Sequence, residues 1–195
     1  GFGFSNYRLQ PTAPLNFQPT NPRPVLPVAK VTGNLRVASF NVLNYFTTLN
    51  PGGTTFTPTS CSNTVEPRGA NTQAEFDRQK LKTVAAIRAI NADVLGVIEM
   101  QNNGSGAGSA IQDLVDALNV GQPTADQYAI APAPSNGFGC DAIKVDFIYK
   151  SAVARIASGT SPASIALTSS NPGFTATGRA PVAITFEQLS SGVGT

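Results

Sequence analysis

Two apolar segments of this sequence each run directly into a side chain that carries ligand oxygens. Residues 37–40 predict a buried strand that ends at Asn41, and residues 94–98 predict a second buried strand that ends at Glu99. If these strands are neighbours in a sheet, both side chains face one pocket. A carboxylate and a carboxamide oxygen suit Mg²⁺, which takes few protein ligands and keeps its waters. The pattern therefore predicts a divalent-metal site, with Mn²⁺ and Ca²⁺ as the alternatives to Mg²⁺.

Each of these residues also has a simpler interpretation. Asn41 taken singly fits the cap of a turn after a strand, and Glu99 fits a solvated loop carboxylate. Their joint occurrence at two strand ends favours metal binding. The chain contains no histidine, which excludes Ser-His-Asp and Cys-His catalysis and most catalytic zinc sites.

The composition is typical of a secreted protein. Only 12% of the residues are charged and the net charge is +2, which is too small to indicate a polyanion partner by itself. No apolar stretch is long enough to predict a membrane span. The chain begins Gly-Phe-Gly-Phe without a Met, so we expect a piece of a longer precursor. A disulfide between Cys61 and Cys140 fits this compartment and would contribute roughly 3–4 kcal/mol, with two unpaired thiols as the alternative.

The elements around the two polar residues predict a mixed α/β layer. Residues 1–34 are rich in proline and indicate a linker or the end of a preceding domain, and residues 35–195 form the main domain. Thr72 and Glu75 predict a capping box that starts a helix ending near Asn91. The predicted apolar stripe of that helix consists of Phe76, Leu81, Val84, Ala85 and Ile87.

Four basic residues lie on this first helix. Lys80, Lys82 and Arg88 predict a solvated helix face, whereas Arg78 is close enough to the helix start to point towards the pocket. A second helix is predicted over residues 110–119 with Ser109 as its cap, followed by strands at 128–131, 143–149, 153–156 and 182–186. The glycine-rich segment 102–109 predicts a flexible turn. A dinucleotide-binding loop is the weaker alternative, because the spacing is GxGxG and no P-loop lysine follows.

Five segments, taken together and in order, resemble the secreted bacterial extracellular nucleases of the endonuclease/exonuclease/phosphatase superfamily. These segments are NLRVASFNVLNYF, RGANT followed by FDRQKLK, ADVLGVIEMQNNG, DAIKVDFIYK and GRAPVAITFE. The resemblance covers roughly residues 35–189. It implies an α/β sandwich of two mixed sheets with helices outside, and a metal-dependent hydrolase that cuts phosphodiesters in DNA, RNA or both.

The resemblance also implies roles for individual residues. Asn41 resembles the asparagine that helps to hold metal or phosphate, and Glu99 resembles the metal-binding glutamate. Arg179 is similar to an arginine that approaches the substrate backbone, with a plain surface arginine as the alternative. Asp141 belongs to a motif shared with the secreted group, without an assigned role, and Asp146 stands where the family more often has glycine.

The family's later motifs contain histidines, and this sequence has none. The resemblance therefore implies the amino-terminal half of a nuclease domain, which is inactive without the missing half. Because half a sandwich leaves one sheet face uncovered, we expect the chain to need that half, another copy of itself or some other partner. The alternative is a non-catalytic structural or self-assembling interaction module of a secreted protein.

Overall fold

The computed structural model of the protein describes residues 2–3, 6–7, 11–16, 18, 20, 33–164 and 179–189. The chain divides into two compact units, Gly1–Lys30 and Val31–Thr195. In the first unit, β1 (Phe2–Gly3) pairs antiparallel with β2 (Asn6–Tyr7). The elements of the second unit are, in chain order, β3 (Val37–Tyr45), α1 (Gln73–Ile90), β4 (Val94–Gln101), α2 (Ala110–Asn119), a 3-10 turn (Thr124–Asp126), β5 (Tyr128–Ile130), β6 (Ile143–Lys150), β7 (Ala154–Ile156), β8 (Ala163–Ser164), β9 (Val182–Ala183) and β10 (Phe186–Gln188).

The main sheet of the described residues is mixed, with strand order β3-β4-β6-β5. β3 and β4 are parallel and are connected through α1, whereas β4 with β6 and β6 with β5 are antiparallel. The predicted mixed α/β class is therefore confirmed. The predicted strand over 182–186 is instead two short strands, because β9 pairs with β8 and β10 pairs with β7. No helix among the described residues combines the length and apolarity that crossing a membrane requires.

The first helix begins and ends as its local sequence predicts. The hydroxyl of Thr72 accepts a hydrogen bond from the main-chain nitrogen of Glu75 at 3.3 Å, and the Glu75 carboxylate accepts one from the Thr72 nitrogen at 3.2 Å. The capping box is therefore confirmed. Asn91 ends the helix in the left-handed conformation that carboxamide residues tolerate.

The apolar stripe of α1 differs from the predicted one at two positions. Phe76, Thr83 and Ile87 are buried, but Leu81 is 72% exposed and Ala85 is exposed as well. At 3.6 residues per turn, positions 76, 83 and 87 lie on one side of the helix, and positions 81 and 85 lie on the other. The prediction for Leu81 and Ala85 is therefore wrong.

One hydrophobic core lies between the two helices and one face of the main sheet. Leu95, Val97 and Ile148 of the sheet are fully buried there, together with Ile87 of α1 and Leu114 of α2. Each buried side chain of this size contributes about 1.5–3 kcal/mol relative to exposure. This core holds β4 at the centre of the sheet, and β4 is the strand that leads to Glu99.

The opposite face of the sheet carries aromatic side chains. The ring of Phe186 in β10 lies 6.1 Å from the ring of Phe147 and 5.4 Å from that of Tyr149, measured between centroids. Phe147 lies close over Gly96, where an added Cβ would meet its ring at 3.4 Å. The ribbon of β7 and β10 therefore packs on the side of the sheet away from the helices.

Two of the three basic residues assigned to a solvated face instead connect the helices. Lys80 donates to Asp113 of α2 at 2.6 Å. Arg88 donates to the carbonyl oxygens of Leu118 at 2.9 Å and Val120 at 2.7 Å, at the end of α2 where helix carbonyls lack helical partners. The predicted solvated position is therefore wrong for Lys80, whose side chain is only 29% exposed, whereas Arg88 and Lys82 are exposed as predicted.

Candidate functional site

Asn41 and Glu99 lie within two adjacent parallel strands and not at their ends, because β3 continues to Tyr45 and β4 to Gln101. The predicted strand ends are therefore wrong. The predicted burial of residues 37–40 is wrong as well, since Val37 is 65% exposed and Ser39 is exposed at the edge of the sheet. The ladder between β3 and β4 runs from Val37 opposite Val94 to Asn41 opposite Ile98, the residue before Glu99. Parallel strands bring their carboxyl ends to one edge of a sheet, which is where ligands bind in many α/β proteins. The sheet topology therefore places the two predicted ligand residues at adjacent levels of neighbouring strands, in the halves of β3 and β4 that lead to their carboxyl ends.

The backbone at this edge is strained. The ladder shifts register after Asn41 and resumes at Tyr45 opposite Met100. Three residues in this region have left-handed φ values, namely Leu43 (55°), Asn44 (51°) and Glu99 (68°). Leucine and glutamate rarely adopt this conformation, which costs about 1–2 kcal/mol per residue. Such strain often occurs at functional sites, where the surrounding structure holds it in place.

The Glu99 carboxylate is held by main-chain and side-chain groups. Its Oε2 accepts a hydrogen bond from the main-chain nitrogen of Asn44 at 3.2 Å, and its Oε1 lies 4.0 Å from Nη1 of Arg179. The Glu99 side chain is 21% exposed and that of Arg179 is 34% exposed. The carboxylate is thus oriented by β3 and stays partly accessible from solvent beside an arginine.

The carboxamide of Asn41 has a structural contact of its own. Its Oδ1 accepts a hydrogen bond from the main-chain nitrogen of Leu43 at 2.8 Å, and the residue is exposed. Asn41 therefore stabilises the turn after its strand, as the simpler interpretation predicts. A carbonyl oxygen has a second lone pair, so this contact leaves one available for a ligand.

The oxygens of Glu99 and Asn41 suit a metal ion that takes few ligands from the protein. The described residues contain no group of three or more His, Cys, Asp or Glu side chains placed to hold a metal. Glu99 and Asn41 supply one carboxylate and one neutral oxygen, a set that suits Mg²⁺ completed by water and substrate oxygens. The residues present therefore fit a hydrated hard cation and do not form an all-protein cage.

A cleft of about 710 Å³ lies between the turn of β3 and helix α1. Arg78 and Lys82 of α1 line it, together with Arg68 of the preceding loop and Asn41 and Asn44 of the β3 turn. Arg78 thus borders the same turn that holds Glu99. Asn41 lines this cleft but Glu99 does not, so the cleft is not the common pocket predicted for the two side chains.

Gln79 fastens α1 to the strained turn. Its Nε2 donates to the carbonyl oxygens of Leu43 at 2.6 Å and Val42 at 3.1 Å. Arg78 directly precedes Gln79 in α1, and Lys82 lies one helical turn after Arg78. The position of the β3 turn is therefore coupled to the positions of these two cations.

Asp141 pairs with Arg68, which lines the cleft, and has no described contact with Glu99. Its Oδ1 is buried and lies 3.0 Å from Nη2 of Arg68, an ion pair by distance that lacks hydrogen-bond geometry, and the Arg68 side chain is 51% exposed. Arg68 is a site residue that the sequence interpretation missed, because nothing in RGANT distinguishes it from a surface arginine. Only the pairing with Asp141, 73 positions further on, identifies it.

Three carboxamides after Glu99 were also missed. The buried Gln101 accepts from the main-chain nitrogens of Thr47 at 2.9 Å and Thr48 at 3.2 Å. Asn102 is also fully buried, and its side chain donates a hydrogen bond to the carbonyl oxygen of Asp141 before β6. The side chain of Asn103 accepts a hydrogen bond from the main-chain nitrogen of Ala110 at the start of α2. The signal in the sequence was the run of carboxamides that directly follows an apolar strand.

The predicted disulfide is present. Cys61 and Cys140 are bonded with a Cα–Cα distance of 5.8 Å, so the long loop before α1 is tied to the segment before β6. Asn102 reinforces this connection, because its main-chain oxygen accepts from Thr59 N at 3.0 Å and its Nδ2 donates to Gly139 O at 2.8 Å. The disulfide and Asn102 together fix the residue that precedes Asp141.

A buried ion pair holds the glycine-rich loop. Lys144 and Asp146 are 0% and 1% exposed and are 2.7 Å apart, and Lys144 also donates to Gly104 O at 2.9 Å and to Ser105 Oγ at 3.0 Å. Burial lowers the pKa of Lys144 and raises the pKa of Asp146, while their attraction opposes both shifts. The loop is therefore anchored at Gly104 and Ser105, whereas residues 106–108 are exposed. Its Gly104 carbonyl faces a cation, which is the opposite of a phosphate-binding arrangement.

No family model, curated protein or solved structure was found to match this chain.

Proposed function

We propose that this chain is part of a secreted, divalent-metal-dependent phosphodiesterase, with nucleic acid, DNA or RNA, as its substrate. The observation that carries the proposal is the orientation of the Glu99 carboxylate by the Asn44 main chain, at the sheet edge that it shares with Asn41. Arg179, 4.0 Å from that carboxylate, supplies a cation suited to a substrate phosphate. The finer fold proposed is the two-sheet sandwich of the endonuclease/exonuclease/phosphatase superfamily, of which these strands form the first half.

In this proposal Glu99 and Asn41 hold the metal, which stabilises charge on the phosphoryl group. Arg179 and Arg78 orient the substrate backbone from the two sides of the turn that contains Asn44. The chain has no histidine, so we assign the general base to a histidine of a second polypeptide segment, the carboxy-terminal half of the domain.

The test is a plasmid-cleavage assay with Mg²⁺ or Mn²⁺ on two proteins, the 195-residue chain and a chain extended through the histidine-bearing motifs. Each is compared with its Glu99→Ala variant and with Glu66→Ala, which removes an exposed glutamate outside the cleft. We expect cleavage only by the extended protein. Glu99→Ala should lower it by at least about 100-fold, since lost transition-state stabilisation of about 2.7 kcal/mol corresponds to that factor, and Glu66→Ala should leave it unchanged.

Glu99-dependent cleavage by the short chain would contradict the requirement for a histidine. An inert extended protein would favour the alternative function, an interaction module. The interaction module is favoured by one observation: β3 is an edge strand of the main sheet of the described residues. Its Val37 and Leu43 side chains are 65% and 73% exposed. Exposed apolar edge strands pair readily with other chains.

A further inference from the structure

We propose that the cleft between the β3 turn and α1 binds an unpaired nucleotide strand, and that Asp141 is a positioning residue that holds Arg68 at its rim. This inference rests on the proposed nucleic-acid function, and it specifies the strand form that the site takes. The cleft volume of about 710 Å³ lies within the range of roughly 300–1,000 Å³ typical of small-molecule sites. It therefore accommodates nucleotide units, but it does not have the dimensions of a groove for a whole duplex.

The lining combines an apolar floor with a rim of three cations and one carboxylate, that of Glu75 in the capping box of α1. Phe40, Ala70 and Ala86 are half-buried and Val42 is 1% exposed, so these residues form the floor. The three cations are all exposed. A single strand uses both parts, because its bases can lie against apolar side chains while its phosphates contact cations. A duplex presents phosphates on its outside and keeps its bases stacked within.

The rim cations are spaced for more than one phosphate. Arg78 and Lys82 are four residues apart on α1 and so lie on one helix face, with about 5–6 Å between Cβ atoms. Neither forms an ion pair with a residue that the structure describes. Their charges are therefore available for a ligand.

Arg68 differs from these two cations because it is preorganised. Asp141 pairs with it at 3.0 Å, and the Asp141 main chain is fixed by Asn102, which donates to its carbonyl at 3.1 Å, and by the disulfide at Cys140. A carboxylate that contacts one nitrogen of a guanidinium leaves the remaining donors for a phosphate. Asp141 thus orients Arg68 without occupying all of its donors.

The experiment measures fluorescence anisotropy of labelled oligothymidylate binding to the full chain in EDTA, so that neither metal nor cleavage enters. An abasic strand of the same length and a duplex of the same length serve as comparison probes. We expect the single strand to bind at least fivefold more tightly than either. Equal binding of the abasic strand would overturn the contact between bases and floor, and tighter binding of the duplex would overturn the preference for an unpaired strand.

Arg78→Ala and Lys82→Ala should each weaken single-strand binding about threefold to tenfold and lower the salt dependence by about 0.7 in the logarithmic slope. Arg155→Ala is the charge-matched control, because it removes an exposed arginine outside the cleft. If all three variants weaken binding equally, the effect is one of net charge and the cleft assignment fails.

The variant Asp141→Asn tests whether Asp141 orients Arg68 or only neutralises its charge. If Asp141 only neutralises Arg68, removing its negative charge tightens binding, and that result would overturn the positioning role. If Asp141 orients Arg68, Asp141→Asn weakens binding to the same extent as Arg68→Ala and adds nothing in that background. Circular dichroism and thermal melting of each variant confirm that the fold is retained.

Failure of this inference can be distinguished from failure of the nuclease proposal. Glu66→Ala should retain single-strand binding in EDTA, because it removes an exposed glutamate outside the cleft. Cleft-dependent binding without cleavage by any form would contradict only the nuclease. Cleavage with binding unaffected by Arg78→Ala and Lys82→Ala would contradict only the cleft.

Discussion

The main-chain nitrogen of Asn44 donates a hydrogen bond to the carboxylate of Glu99 at 3.2 Å, and both residues have left-handed φ values, 51° and 68°. A strained glutamate is thus held by an asparagine of the neighbouring strand, whose left-handed backbone is tolerated. A solvated loop carboxylate needs neither the strain nor the partner, so this pair is the structural basis for assigning Glu99 a function.

The strain at Glu99 has a measurable free energy. Glu99→Gly and Glu99→Ala remove the same carboxylate, but only glycine adopts φ 68° without steric cost. We expect the glycine variant to have a free energy of unfolding about 1 kcal/mol higher than that of the alanine variant. Urea denaturation of the two variants measures the difference. Equal stability would show that the left-handed backbone at this position carries no strain.

Gly69 allows the loop that carries Arg68 to approach β3. An added Cβ would lie 2.5 Å from Cβ of Phe46 and 3.2 Å from the carbonyl oxygen of Asn44. Gly69→Ala is therefore expected to lower the free energy of unfolding by about 1–3 kcal/mol, as overpacking does. Gly106→Ala is the control, because no atom lies within 4 Å of its added Cβ. A Gly69→Ala melting temperature equal to that of the control would contradict the close approach.

The buried pair of Lys144 and Asp146 predicts non-additive effects. Lys144→Met leaves the Asp146 carboxylate buried without its cation, and we expect a loss of about 3–5 kcal/mol in the free energy of unfolding. Adding Asp146→Leu removes the uncompensated charge and should restore part of that loss. The measurement is chemical denaturation of both single variants and the double variant. Additive losses would indicate that the two side chains do not interact.

Two buried tyrosines predict a loss of stability at alkaline pH. Burial and then Asp113 raise the pKa of Tyr45 well above 10.0, and burial, followed by the charges of Asp93 and Asp126, raises the pKa of Tyr128 to about 12. In the unfolded chain both phenols titrate near 10. Their contribution is therefore complete below pH 10 and decreases as the pH rises through about 12 for Tyr128 and further for Tyr45.

Thermal or urea unfolding between pH 8 and 11 measures this effect. The free energy of unfolding should fall above pH 10 by up to about 1.4 kcal/mol per pH unit for each tyrosine. The double variant Tyr45→Phe and Tyr128→Phe should start lower at pH 8, because it lacks the hydrogen bonds to Asp113 and to Ala92 O, but should decline less. Tyr7→Phe, at a 90% exposed tyrosine, should retain the full decline. An equal decline in all three proteins would assign it to other groups.

Local sequence was sufficient for the helices and for the class of fold. The sequence predicted the amino-terminal caps of both helices, because a cap depends on contacts within four residues. These contacts join Thr72 with Glu75 and Ser109 with Gln112. The succession of strand, helix and apolar strand likewise predicted the parallel pair of β3 and β4, since that connection needs a crossover. The exposure of Leu81 was misjudged, because a stripe is defined only after the helix has packed.

The sequence by itself determined that Asn41 and Glu99 follow apolar segments and that the chain has no histidine, because residue type and period are local properties. It placed both strand ends too early, because pairing with neighbouring strands extends β3 to Tyr45 and β4 to Gln101. Only the tertiary structure decided that Asn44 holds Glu99, that Asp141 holds Arg68, and that Lys80 and Arg88 connect helices. Each of these contacts joins residues at least 30 positions apart. Their geometry follows from how the sheet and helices pack as a whole, which no local pattern encodes.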